Sequence, residues 1–159
     1  NIGQMDVGGE IAARGKADES KIAEILKDPY FEVSFPKSLD RFDFSYKIAE
    51  GMSLEDGAAT LTALVGASVG KGLDLLPIRP KQLIVSGGGR KNPTMMQEIS
   101  SRANIDTRTA DKYNLRGDAI EAECFAFLAA RTLANLPISY PKTTGVLKPM
   151  TGGVIAYPL

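Results

Sequence analysis

The chain has 159 residues, 43% of them hydrophobic and 24% charged, enough apolar material for one domain with a true core and too much for a disordered or fibrous polypeptide. Its 19 basic and 19 acidic residues cancel, so no overall field draws it to nucleic acid or to an anionic membrane. Histidine is absent, which removes imidazole acid–base chemistry, a Ser-His-Asp triad and the commonest zinc ligand, and leaves catalysis to carboxylates or bound cations.

The chain opens without an initiator methionine, on what reads as the middle of an element, so a piece of a longer protein is expected. Gly8 and Gly9 precede a short helical stretch, Glu10 to Ala13, that Gly15 can terminate from a left-handed conformation. A second helix follows, capped by Asp18 or Ser20, with Ile22, Ile25 and Leu26 on one face and Pro29 as its stop. Residues 30–45 interleave Tyr30, Phe31, Phe35, Phe42 and Phe44 with Lys37, Asp40, Arg41 and Asp43. The balanced charge argues against base stacking on a nucleic acid, and a long loop pinned to the core by its rings is expected.

The longest predicted helix begins at Ser53 as N-cap, with Glu55 and Asp56 in a first turn that favours negative charge. Leu54, Ala58, Leu61, Leu64, Val65, Ser68, Val69 and Leu73 recur at helical steps, while Ala59, Ala63, Gly66, Ala67 and Gly70 leave room for a close neighbour. Pro77 and Pro80 are expected to end it. Leu83, Ile84 and Val85 then form an unbroken apolar run, the pattern of a strand buried on both faces.

Three consecutive glycines, Gly87, Gly88 and Gly89, follow that strand. Such a run gives up roughly 0.5–1 kcal/mol per position against alanine in regular structure, so it suggests a need for positive φ or for close approach by a ligand. A plain, flexible connection is the alternative, because the spacing of a P-loop or a dinucleotide fingerprint is missing. Arg90 and Lys91 directly after the glycines could meet phosphate or could be ordinary exposed cations. Asn92 as cap and Pro93 at the first position start another helix, and an extended piece at Ile105 to Arg108 completes a βαβ spacing that predicts parallel pairing.

The last long helix is introduced by Gly117 and Asp118 and carries Ile120, Cys124, Phe125, Phe127, Leu128 and Leu133 on more than one side, so it is expected to be largely buried. Glu121 and Glu123 lie in its first turns, where they either balance the positive helix end or face a cleft. The tail reads as two glycine turns and a short strand from Val154 to Tyr157. Cys124 is the single cysteine, which excludes an internal disulfide and suggests a buried thiol in a reducing compartment. No apolar run approaches the roughly 20 residues of a membrane span, and no signal-peptide pattern is seen, so a soluble, cytoplasmic protein is expected.

In this order the segments resemble the C-terminal part of the anhydro-N-acetylmuramic acid kinases, which belong to the sugar kinase, heat-shock protein and actin superfamily. The resemblance runs through Asp6, Gly9, Ala12 and Gly15 to Asp18; through Asp28 to Phe31, Pro36 to Ser38, Arg41 and Phe42; and through Glu55, Asp56 and Ala59 to Thr62. It continues in Ser86 to Asn92, Gly117 to Ala122 and Phe125 to Ala129. Leu39, Asp40 and Phe42 depart from the polar residues common in the second of these segments.

The resemblance implies an α/β fold, the C-terminal half of an actin-like (ribonuclease H-like) ATPase domain, helix-rich with a small, partly parallel sheet. Residues 1–159 would form a single nucleotide-side lobe of a two-domain kinase. Such a kinase hydrolyses the 1,6-anhydro ring and phosphorylates the sugar with ATP and Mg2+ during cell-wall recycling. Its first phosphate loop and catalytic base belong to the preceding domain, so no catalytic residue is expected here and the chain alone should not turn over. Gly87, Gly88, Gly89 and Asn92 would hold the nucleotide, and Glu121 would face the sugar. The implied partners are a small-molecule sugar and a second copy of the chain in a homodimer, with no nucleic acid and no membrane. A non-catalytic ATP-binding or interaction module with an actin-like half fold is the alternative.

Overall fold

The computed structural model describes residues 5–40, 43 and 45–156. Arg41, Phe42, Phe44 and Tyr157 lie outside the described residues. The architecture is a helix-rich α/β arrangement around one long helix, α2 (Leu54–Asp74), with α1 (Glu19–Ile25), α3 (Pro93–Arg102), α4 (Ile120–Leu133) and the short α5 (Pro141–Thr144). Its only sheet among the described residues pairs β1 (Gln82–Val85) in parallel with β2 (Asp106–Thr109), Gln82 opposite Asp106 and Val85 opposite Thr109. The βαβ unit expected from the spacing is therefore present, with α3 as its crossover.

Helix α2 starts where the serine places it, because the Ser53 Oγ accepts the Asp56 N–H at 3.1 Å. The Asp56 carboxylate in turn accepts the Lys16 N–H at 2.8 Å, tying the preceding turn to this helix end. Thr60, fully buried, donates to the Asp56 carbonyl at 2.7 Å and accepts the Asp18 N–H at 3.0 Å. Asp18 rather than Ser20 caps α1, its carboxylate accepting the Ser20 and Lys21 N–H groups.

Two apolar clusters flank α2. Ile22, Ala63 and Leu64 form one, filled out by Ile25, Leu26 and Ile48; Leu73, Ala103 and Ile105 form the other with Val69, Leu76 and Leu83. Each fully buried leucine or isoleucine contributes on the order of 1.5–3 kcal/mol by leaving water. The small-residue stripe does what its spacing suggests: a Cβ at Gly66 would lie 2.5 Å from the Glu98 carbonyl oxygen and one at Gly70 3.2 Å from that of Arg102. Backbone thus meets backbone where α2 crosses α3. Arg102 fastens the arrangement, reaching Glu98 on its own helix at 2.5 Å and Glu19 of α1 at 2.6 Å.

Several sequence expectations are corrected. Helix α2 ends at Asp74, ahead of Pro77, and α1 ends at Ile25, while Pro29 opens a 3-10 turn, Pro29–Glu32, capped by Asp28. Gly15 closes a 3-10 turn at Ala12–Arg14 in extended rather than left-handed geometry; its glycine is needed because a Cβ would fall onto the Glu55 carbonyl. Of the described rings in the aromatic segment, Phe31 is buried and Phe35 is exposed. The Lys37 ammonium sits 4.3 Å from the Tyr30 ring centre and donates to the Tyr30 carbonyl at 2.7 Å. Strand β1 is only half-buried: Leu83 packs on the Leu73 cluster, and Ile84, on the opposite face, is exposed.

The largest correction concerns α4. None of its residues is buried, Phe125 and Phe127 are 63% and 59% exposed, and Cys124 is exposed as well. Helix α4 follows the sheet and packs on neither apolar cluster, so its apolar sides stay uncovered. The tail has no strand at Val154–Ala156; Ser139 and Met150 instead form an isolated antiparallel bridge. No helix among the described residues is long and apolar enough to cross a membrane.

Uncovered rings on a helix of this length promote association. The chain expressed by itself is expected to bind a hydrophobic dye and to sediment as oligomers, and Phe125→Ser with Phe127→Ser to reduce both signals. Unchanged sedimentation in the double variant would place the sticky surface elsewhere.

Candidate functional site

Strand β1 delivers the chain to Gly87, whose φ of 75° and ψ of −175° belong to a region that only glycine occupies without strain. The backbone then makes a 3-10 turn, Gly88–Lys91, and enters α3 through Asn92, whose side-chain oxygen accepts the Met95 N–H at 2.9 Å. Pro93 occupies the first helical position, where its missing N–H costs nothing. This strand, glycine turn and capped helix bring the positive end of α3 to the loop, an arrangement that in general favours an anion.

The three glycines are not equivalent. Gly87 is required by its dihedral angles, whereas a Cβ at Gly89 would stand 3.1 Å from the Met95 sulfur, a tight contact to which the methionine side chain would have to yield. Gly88 has neither constraint: its φ is not positive, and a Cβ there would meet nothing within 4 Å. Open space borders Gly87 as well. The protein's own packing therefore leaves the face of the loop at Gly87 and Gly88 clear.

Arg90 lies deeper than the sequence suggests, its side chain only 4% exposed. Its Nε and second terminal nitrogen bond the Asp111 carboxylate at 2.6 and 3.1 Å, and its first terminal nitrogen donates to Asp118 at 2.7 Å and to the Gly87 carbonyl at 2.9 Å. The guanidinium lies against Gly117, where a Cβ would collide with it. Lys91 donates to Asp118 at 2.8 Å in an exposed pair. Both cations that could have met phosphate are thus engaged by carboxylates, Arg90 through all three of its nitrogens.

These bonds set the local electrostatics. Hydrogen bonds from Arg90 and then Lys91 hold the Asp118 carboxyl well below the usual range, and a hydrogen bond from Arg90 lowers that of Asp111. The two carboxylates, Asp118 first, push the Arg90 guanidinium still higher. A carboxyl depressed in the folded state adds stability that is complete above its unfolded value, near pH 4, and is lost as pH falls toward the folded value. Protection of the Gly87 amide, which donates to the Gly117 carbonyl at 2.9 Å, is therefore expected to decline in hydrogen exchange below about pH 4. Asp118→Asn should flatten that decline; an unaltered profile would show that the pair does not tether the loop.

Glu121 stands in the first turn of α4, exposed and without an ion pair among the described residues, whereas Glu123 pairs with Arg116 at 2.6 Å. The Gly87–Gly117 bond brings the start of α4 beside the glycine loop. Helix α4 itself begins at Ile120 with Ala119 as an N-cap lacking a side-chain bond, since Asp118, expected to introduce it, is turned to Arg90 and Lys91. The Arg90–Asp111–Asp118 cluster was not legible as a unit. Its members lie up to 28 residues apart, and Gly117 was its one local sign. A groove of about 1000 Å³ lies under the aromatic segment, lined by Lys21, Tyr30, Phe31, Leu39 and Ile48, none of them from the glycine loop.

A two-stranded parallel sheet, a glycine turn with an open face and an asparagine-capped helix define a helix-rich α/β protein. The chain belongs to the anhydro-N-acetylmuramic acid kinase family, whose family model matches residues 2–158. It is 58% identical over 152 residues to an anhydro-N-acetylmuramic acid kinase of Brucella anthropi, a match covering 96% of this chain and 41% of that one. A kinase of the same name from Rhizobium rhizogenes is 55% identical over 155 residues, 98% of this chain and 42% of that one, and one from Mesorhizobium japonicum is 54% identical over the same length and shares. The chain thus spans about two-fifths of the length of the curated relatives it matches.

Proposed function

We propose that the whole protein to which this chain corresponds is an ATP-dependent kinase that opens the 1,6-anhydro ring of anhydro-N-acetylmuramic acid with water and phosphorylates the sugar. In this reading the chain is the nucleotide-side lobe of an actin-like fold. Gly87, Gly88 and Gly89 pass beneath the nucleotide, Asn92 holds the α3 terminus that faces it, and Glu121 faces the sugar. The observation that carries the reading is Gly88, a glycine that neither its own dihedral angles nor its neighbours require, at the mouth of a capped helix. Family membership supplies the substrate class.

Phosphoryl transfer asks chiefly for positioning and for neutralisation of charge. The open loop fits the phosphates of ATP, since its amides are the donors that polyanions take up. Magnesium is different. It takes oxygen ligands, commonly one or two carboxylates beside the nucleotide's own phosphates. No group of three His, Cys, Asp or Glu side chains that could hold a metal ion occurs among the described residues.

The same reading has the kinase work in the cytoplasm on cell-wall fragments, as a homodimer. The exposed, unpaired Cys124 is in keeping with a reducing compartment, and the uncovered sides of α4 with contacts beyond this chain. Assay of the full-length protein with ATP, magnesium and anhydro-N-acetylmuramic acid tests it: phosphorylated, ring-opened product is expected, and none from this chain alone. Absence of product from the full-length protein would leave a non-catalytic ATP-binding module as the better account.

A further inference from the structure

We propose that Arg90 is a positioning residue for the nucleotide loop, a buried guanidinium that sets the Gly87 peptide and so fixes the open face along which ATP lies. The proposal rests on the reading of the glycine loop given above. Both polar groups of Gly87 are held, its carbonyl by Arg90 at 2.9 Å and its N–H by the Gly117 carbonyl at 2.9 Å. Because Gly87 lacks a Cβ and has a wide choice of backbone conformations, those two bonds decide which one it takes and so where the next amides point.

Arg90 is itself immobilised. Asp111, in the turn after β2, takes two of its nitrogens, and Asp118, just before α4, takes a third. The planar fork reaches two carboxylates and a carbonyl from three separate nitrogens, a spread that the single nitrogen of lysine cannot reproduce. Gly117 supplies the flat floor on which the fork rests. Three chain segments therefore converge on one side chain, and a loop organised before its ligand arrives loses less on binding.

The test compares steady-state kinetics of the full-length kinase carrying Arg90→Gln, Arg90→Lys or Gly117→Ala. In Arg90→Gln the KM for ATP is expected to rise by about tenfold or more, with the KM for the sugar within about twofold of wild type, and Arg90→Lys to recover only part of the loss. A merely structural residue would instead lower the active fraction, and so kcat, with both KM values unchanged. Should Arg90→Gln fail to fold, Gly117→Ala carries the test, since it keeps the charge and disturbs only its seat; the same rise in the KM for ATP is expected. An unchanged KM for ATP in the folded variants, while Gly88→Val loses ATP, overturns the role of Arg90 and leaves the loop reading standing. Retention of ATP affinity by Gly88→Val as well overturns both.

Discussion

Gly88→Val is expected to weaken ATP binding by the full-length kinase by about 100-fold or more, which is close to 3 kcal/mol, without lowering its unfolding midpoint. Two facts separate the effects. The backbone at Gly88 has no positive φ, and a Cβ would find nothing within 4 Å, so a side chain enters empty space in the ligand-free protein. The same isopropyl group would occupy the surface that phosphate must approach within hydrogen-bonding distance of the amides. Isothermal titration with ATP, paired with urea unfolding, reads both quantities. Gly87→Ala serves as contrast: at φ 75° it strains the backbone by on the order of 1–3 kcal/mol, so stability and affinity should fall together. Unchanged ATP affinity in Gly88→Val would remove the glycine loop from the nucleotide site.

The second large effect is a pair of identical substitutions with opposite signs. Gly66→Ala is expected to destabilise by about 1–3 kcal/mol, because its Cβ would lie 2.5 Å from the Glu98 carbonyl oxygen and α3 must move as a whole to make room. Gly72→Ala, in the same helix and with nothing within 4 Å of its Cβ, should stabilise by roughly 0.5–1 kcal/mol through lower chain entropy in the unfolded state. Urea midpoints of the two variants check this. A stabilised Gly66→Ala would mean that α2 and α3 do not meet backbone to backbone.

Much of this molecule was legible residue by residue. Ser53 and Asn92 cap the helices they were expected to cap, Gly66 and Gly70 mark a close helix crossing, and the spacing of β1, α3 and β2 predicted parallel pairing. These features depend on contacts within a few residues or on a periodic face, so composition and spacing carry them. The glycine run was equally visible, yet its unequal parts were not. Whether a glycine is needed for its φ, for a neighbour or for neither depends on atoms distant in sequence.

Only the tertiary structure showed that Arg90 is buried among Asp111, Asp118 and the Gly87 carbonyl rather than offered to phosphate, and that α4 stands uncovered despite its apolar composition. Periodicity reports that a surface is apolar, and it is silent on what covers that surface. A sequence determines which groups must find partners. Which partner each one finds, and which apolar face stays without one, is decided by long-range packing, because there the competing contacts lie many residues apart in the chain.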